Sequence, residues 1–295
     1  MAQRTQFTES WVGVAGIRTR YIAEGAGEPL LFIHGGHFGD MNSAECAEVW
    51  NLTIPDLASH WRCVALDRLG QGFTEGPKDE AAFTMAASVR HVADFVRAID
   101  IAPCHVVGHS RGGYVAARLA LDHPALVRSC TIVSSNTIAP GPASNEIVFA
   151  DNPHRPFSAE RARFVVERYS YSIAHIDEAW LAIRARALQS QTYRAAAQRM
   201  AERALYLTQF SPQLEDDRHD LLDRIARDGL RQPTLVVWSG NDATAPVAVG
   251  LDLFRRLAAR QQRTEFHLLN ATGHYCYRER APEFNRTLRD FLGRV

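Results

Sequence analysis

The sequence predicts an α/β protein, with a mostly parallel sheet flanked by helices and interrupted once by a helical insertion. Three observations carry this. Short β-rich runs alternate with helical patterns through the first 136 residues, and residues from about 158 to 228 read almost entirely as helix. Strand character then returns twice, each time followed by a helical run.

The elements follow in order. "ESWVGVAG" and "GIRTRYIAEG" succeed each other closely enough to be an antiparallel hairpin at the sheet edge. "PLLFIHGG", "WRCVALDRLG", "CHVVGHS" and "SCTIVSSN" each read as a strand. Between them, "TMAASVRHVADFVRAID" sets Met85, Val89, Val92, Phe95, Val96 and Ile99 at helical spacing, and "RGGYVAARLALDHP" does the same before a proline stop. From Thr137, "TIAPGPASN" is a turn-rich break, after which the helices carry Arg, Ala and Glu faces. "PTLVVWSGND" and "TEFHLLNATGH" are the last strands, followed by the helical runs "APVAVGLDLFRRLAAR" and "APEFNRTLRDFLGRV". The predicted organisation is a core domain of residues 1–136 and 232–295 carrying a helical cap, 137–231.

Composition narrows the function. At 295 residues the chain suits one large domain with an insertion, and 46% apolar with 22% charged residues are the proportions of a globular protein. Lys+Arg and Asp+Glu both total 33, without a dense basic block, so nucleic acid is not an expected partner. The first residues, "MAQRTQFTESWVGVAG", hold no apolar core of a secretory signal, and no apolar run is long enough to span a bilayer. A cytoplasmic location with no membrane partner is the expectation. Five cysteines, at 46, 63, 104, 130 and 276, form no CxxC pair and imply neither a disulfide framework nor a zinc site. No metal or cofactor is expected, and the assembly considered is a homodimer.

The motif "HVVGHSRGGY" carries the chemistry. A serine at the tip of a strand-to-helix turn sits on a sharply bent backbone, and a Cβ two positions away on either side would collide with neighbouring backbone. Gly108 and Gly112 remove those collisions around Ser110, while "HVV" and "YVAARLAL" supply the strand and the helix. The bend aims the hydroxyl out of the sheet and sets the amide of Arg111 at the first turn of the helix.

A serine hydroxyl needs a base, and the base needs an acid to fix its tautomer. Asp242, in "VVWSGNDATAP", and His274, in "FHLLNATGHYCY", each follow a strand directly, where open parallel sheets put their chemistry. Asp242 lies 132 residues after Ser110 and His274 a further 32 on, the long gap being what an insertion produces. His34, His37, His105, His109, Asp67 and Asp122 lack that combination of strand-end position and chain order, and Asp67 is expected to anchor a turn. "LLFIHGGHFGD" ends a strand in His34-Gly35-Gly36, where glycine lets backbone N–H groups approach a substrate oxygen. Gly36 and Arg111 are thus the expected oxyanion donors through their backbone. "GQGFTEG", from Gly70 to Gly76, lacks the spacing of a dinucleotide-binding loop.

HGG after the third strand, GHSRGG after the fifth, GND after the seventh and GH after the eighth make the chain resemble the α/β-hydrolase superfamily over nearly its whole length. The resemblance implies an eight-stranded sheet with the cap inserted after strand 6. Within it, "HGGH", "WNLTIPDLASHWRCVALDRLGQGFTEGP" and "GHYCYRERAPEFNRTLRDFL" look like the carbon–carbon bond hydrolases acting on meta-cleavage products of aromatic degradation. That branch implies a carboxylate-bearing small-molecule substrate, a 2-hydroxy-6-oxo-hexa-2,4-dienoate. It also implies a carboxylate-binding arginine in the cap, matched by Arg184 in "IDEAWLAIRARAL", which shares a helical face with Trp180, Ala187 and Leu188. His37, His109 and Tyr275 join Arg184 as expected substrate-binding residues. The branch usually has HGGGPG where this chain reads "HGGHFG", Asn at 109, Met at 111 and Trp at 275. The same machinery would also split a carboxylate-bearing ester such as a monoalkyl phthalate, and a ligand receptor on the same fold is a third reading. An epoxide hydrolase or dehalogenase would need aspartate at 110.

Overall fold

The computed structural model describes residues 7–36, 39, 41–42, 44–139 and 151–295. These form one eight-stranded sheet from β1 (Glu9–Val14), β2 (Ile17–Glu24), β3 (Pro29–Ile33), β4 (Arg62–Leu66), β5 (Cys104–His109), β6 (Val127–Val133), β7 (Thr234–Ser239) and β8 (Thr264–Leu269), in the spatial order β1-β2-β4-β3-β5-β6-β7-β8. β1 and β2 pair antiparallel with Val14 opposite Ile17, the tight hairpin expected, and β2 runs antiparallel to β4. From β4 to β8 every pairing is parallel.

Alternation along the central strands sends side chains into two separate cores. Leu31, Ile33, Val64, Leu66, Val106, Ile132, Val236 and Trp238 face one, and Leu30, Phe32, Ala65, Val107, Val133, Leu235 and Val237 face the other. Because both faces are covered, these strands read as continuous apolar runs. The first core is closed by α2 (Met85–Ala98) and α3 (Arg111–Asp122), and the second by α1 (Ile54–Leu57), a short helix that the periodicity does not reveal.

Among the described residues, α4 (Ala159–Tyr169), α5 (Glu178–Leu188), α6 (Gln191–Glu202) and α7 (Ser211–Asp228) lie between β6 and β7. α8 (Val247–Ala258) follows β7 and joins the first core, while α9 (Cys276–Glu279) and α10 (Ala281–Leu292) follow β8 and join the second. Start signals are local: Thr84 Oγ1 accepts from Ala87 N–H at 3.0 Å, Ser158 Oγ from Arg161 N–H at 3.1 Å, and Asp177 Oδ1 from Trp180 N–H at 2.8 Å. The Asp177 cap fixes the entry of α5, whose buried face carries Trp180, Ile183, Arg184, Ala187 and Leu188. All five cysteines are buried and unbridged. Among the described residues no helix is long and apolar enough to cross a membrane.

Candidate active site

Ser110 stands between β5 and α3 with φ 53° and ψ −124°, a conformation that side-chain-bearing residues rarely adopt. The surroundings hold it there. Its N–H donates to Val133 O at 2.9 Å, and its carbonyl accepts from Gly113 N–H at 2.9 Å and Ser135 Oγ at 2.5 Å. A Cβ on Gly108 would run into the Gly112 carbonyl, and one on Gly112 into the Ile33 carbonyl of β3. The bend therefore exists because strand, helix and neighbouring strand touch through bare backbone.

His274 and Asp242 meet behind the ends of β7 and β8. His274 Nδ1–H donates to Asp242 Oδ2 at 2.7 Å, which leaves Nε2 as the basic nitrogen. Asp242 Oδ1 accepts from Thr244 N–H and Thr244 Oγ1, both at 2.8 Å, and from Ala245 N–H at 3.1 Å. Burial works to raise the Asp242 carboxyl, and His274 with the Thr244 donors overcomes it and holds the group below its ordinary value. The inserted helices fix His274 from the other side. Its N–H donates to Tyr169 O at 2.7 Å, Gly273 leaves no side chain against the Tyr169–Tyr171 backbone, and the Glu279 carboxylate gathers Gly273 N–H at 2.7 Å, Ser172 N–H at 3.0 Å and Tyr171 N–H at 3.1 Å.

The turn after β3 is pinned by His34 and by Arg68, a residue with no motif to mark it. His34 donates from Nδ1 to Gly35 O at 2.8 Å and accepts at Nε2 from Arg68 N–H at 3.1 Å. Burial first, then the Arg68 charge, bring its pKa down to about 3, so it is a neutral strut and not a base. The Arg68 guanidinium donates to Gly35 O at 2.6 Å and also to Gly36 O. Because a trans peptide sets its N–H opposite its C=O, the Gly36 N–H is directed away from Arg68. Gly36 has φ +73°, open to glycine alone without strain. Arg111 opens α3, in the first turn where N–H groups have no intrahelical acceptor.

His109 is buried with its ring 4.6 Å from that of His274, and its Nε2–H donates to the His274 carbonyl at 2.8 Å. Burial and the nearby His274 bring its pKa down to about 3. Tyr275 is buried among Trp180, His109 and Tyr169, at ring distances of 5.0, 5.9 and 6.2 Å. His37 lies outside the described residues. Arg184 is 1% exposed, with its guanidinium carbon 5.1 Å from the Trp180 ring centroid and 5.5 Å from that of Tyr275. Its partner is one that sequence reasoning missed: Arg184 Nη1 donates to Glu45 Oε1 at 3.2 Å. Burial opposes ionisation of Glu45, but the Arg184 charge outweighs it and holds the carboxyl down to about 2.

Asp67 does anchor a turn, accepting from Ala47 N–H at 2.6 Å and Phe73 N–H at 2.9 Å, and it also bonds Arg20 at 3.1 Å. Cys46, Glu48 and Asp67 each bring a donor atom within 4.8 Å of the others, but the buried Arg20 guanidinium pairs with both carboxylates and supplies the positive charge.

Comparison with known proteins agrees with this architecture. Residues 28–281 match the family described as alpha/beta hydrolase fold. The 2-hydroxymuconate semialdehyde hydrolase of Pseudomonas sp. (strain CF600) is 28% identical over 94% of this chain and 91% of that protein. The 2-hydroxy-6-oxo-6-(2'-aminophenyl)hexa-2,4-dienoic acid hydrolase of Metapseudomonas resinovorans is 35% identical over 130 residues, 44% of this chain and 43% of that one. A variant of the meta-cleavage product hydrolase CumD from Pseudomonas fluorescens IP01, complexed with acetates, superposes with a TM-score of 0.78 over 97% of both chains at 23% identity, a likeness of fold. The chain belongs to the alpha/beta hydrolase fold family, and it is a hydrolase similar to those that act on meta-cleavage products.

Proposed function

We propose that Ser110 is the nucleophile of this hydrolase, with His274 as its base and Asp242 as the residue that holds and charges the base. The observation that carries the reading is the 2.7 Å contact between His274 Nδ1 and the buried Asp242, which leaves Nε2 to take a proton. Ser110 Oγ attacks a ketone or ester carbonyl as Nε2 accepts its proton, and the backbone N–H groups of Gly36 and Arg111 receive the negative charge on oxygen. Collapse expels the leaving group, which takes the proton back from His274. Water, deprotonated by the same nitrogen, then releases the acid and restores Ser110.

The bond cleaved in this reading is the C–C bond of a 2-hydroxy-6-oxo-dienoate. The dienol is first ketonised, and cleavage gives a carboxylic acid and a 2-hydroxydienoate. Support comes from relatives named for such substrates. The Glu45–Arg184 pair favours a second reading, an ester whose recognition does not depend on an uncommitted cation. Assaying a yellow dienoate beside nitrophenyl acetate, an ester without a carboxylate, separates the two. Ser110→Ala is expected to lower turnover of the accepted substrate by at least about a thousandfold; turnover near that of the wild type would overturn the assignment.

A further inference from the structure

Two buried acceptor atoms beside Ser110 have no partner among the described residues. Glu45 Oε2 is one: its sister oxygen takes Arg184, its residue is 5% exposed, and Oε2 itself makes no hydrogen bond. The His34 nitrogen 4.0 Å away already donates to Gly35 O. His109 Nδ1 is the other. Because Nε2 spends the ring's single proton on the His274 carbonyl, Nδ1 carries a lone pair, and it too is buried and unpartnered. Both pack against Gly35 beside Ser110. The point where a Cβ on that glycine would sit lies 3.1 Å from Glu45 Oε2, 3.1 Å from Ser110 Cβ and 3.3 Å from His109 Nδ1. The Tyr277 hydroxyl, buried and likewise unpartnered, lies within the electrostatic reach of Glu45.

Buried acceptors without donors cost stability unless something supplies the donor. Here they adjoin the proposed nucleophile, and one is charged. We propose that Glu45 Oε2 and His109 Nδ1 form a subsite beside Ser110 that takes a hydroxyl or amino group of the substrate, with Arg184 committed to Glu45. The inference rests on Ser110 marking the reacting end of the pocket. A carboxylate brought here would meet two acceptors, one anionic, and a cation already shared, whereas a donor-bearing group completes both atoms. An enol hydroxyl on a dienoate and a hydroxyl or amine on the acyl part of an ester both qualify. Any side chain at 35 would press against all three atoms.

The test is binding without turnover. Benzamide, which offers N–H donors, and benzoate, its acceptor-only counterpart, are titrated into wild-type protein by calorimetry. Benzamide is expected to bind at least tenfold more tightly. In Glu45→Gln, which removes the charge, the preference is expected to fall at least tenfold or reverse, with circular dichroism checking the fold. Equal or tighter binding of benzoate by the wild type, binding of neither ligand, or an unchanged ratio in folded Glu45→Gln would each overturn the subsite. The wild-type comparison stands even if the variant does not fold. A failed ratio alongside Ser110-dependent turnover removes the subsite alone, whereas normal turnover in Ser110→Ala removes the reading beneath it.

Discussion

Replacing Asp242 by asparagine tests the arrangement of the site with almost no change of shape. Three donors converge on Oδ1, from Thr244 N–H, Thr244 Oγ1 and Ala245 N–H, and an amide nitrogen could not accept them. In Asp242→Asn the amide oxygen therefore stays at Oδ1 and the NH2 group turns toward His274 Nδ1, 2.7 Å away in the wild type. Two N–H groups would then face each other unless the imidazole moves its proton to Nε2, which abolishes the lone pair needed by Ser110. The same wrong-tautomer trap costs serine proteases about 10⁴ in kcat, equivalent to about 5.4 kcal/mol of activation free energy. Packing and the Oδ1 bonds survive, so the melting temperature should change little. The assay is the initial rate on a nitrophenyl ester for both proteins, with thermal melts in parallel. A folded Asp242→Asn enzyme within tenfold of the wild-type kcat would refute the argument.

Gly108→Ala sets a methyl against the Gly112 backbone, and with no flexible neighbour to yield it should cost about 3 kcal/mol or more; a thermal melt within 2 °C of the wild type would contradict the packing account. Arg20→Met leaves Asp67 buried without its cation and Glu48 with Arg186 alone, a loss of about 3–5 kcal/mol that should appear as a lower urea midpoint, and an unchanged midpoint would show the Arg20 pairs to be dispensable. Acid stability follows from buried histidines. His34 and His109 are held down to about 3 and His91 to about 4, so below the unfolded value of about 6.5 the unfolded chain binds more protons than the folded one. Their contribution is complete above that value and is lost as pH falls toward the folded values, at about 4 kcal/mol per pH unit for the three together between about pH 6 and 4. His91→Gln should flatten the slope of unfolding free energy against pH by about a third, and an unaltered slope would rule His91 out.

What was legible in the sequence was what sterics leave no freedom to vary. Gly108 and Gly112 flank Ser110 because bare backbones touch there, and the local pattern records it. The buried parallel strands announce themselves as apolar runs, and the order serine, acid, histidine is set by which strands end at the site. The partner of Arg184 was not legible, since Glu45 stands 139 residues away in "MNSAECAEVW", a stretch with neither motif nor period. Glu279, which ties the end of α4 to the Gly273 loop, reads in sequence as one acid in a charged run. Thr244, sharing Asp242 and His274, follows no pattern that links three residues across two loops.

The depressed basicity of His109 bears on whether His274 can work at all. The rings stand 4.6 Å apart, and two unit charges at that separation repel by about 4 kcal/mol at an effective dielectric near 20. In the proposed mechanism, a protonated His109 would load that penalty onto the imidazolium that His274 becomes when Ser110 gives up its proton. Burial removes the risk by keeping His109 neutral, and the hydrogen bond from its Nε2 to the His274 carbonyl turns the lone pair away from His274 and toward Gly35. Glu45 acts in the opposite sense. Its charge favours a cation on His109, but Arg184 takes one oxygen and the pair is close to neutral at a distance. In that mechanism the positive charge falls on His274, the imidazole that holds a carboxylate of its own.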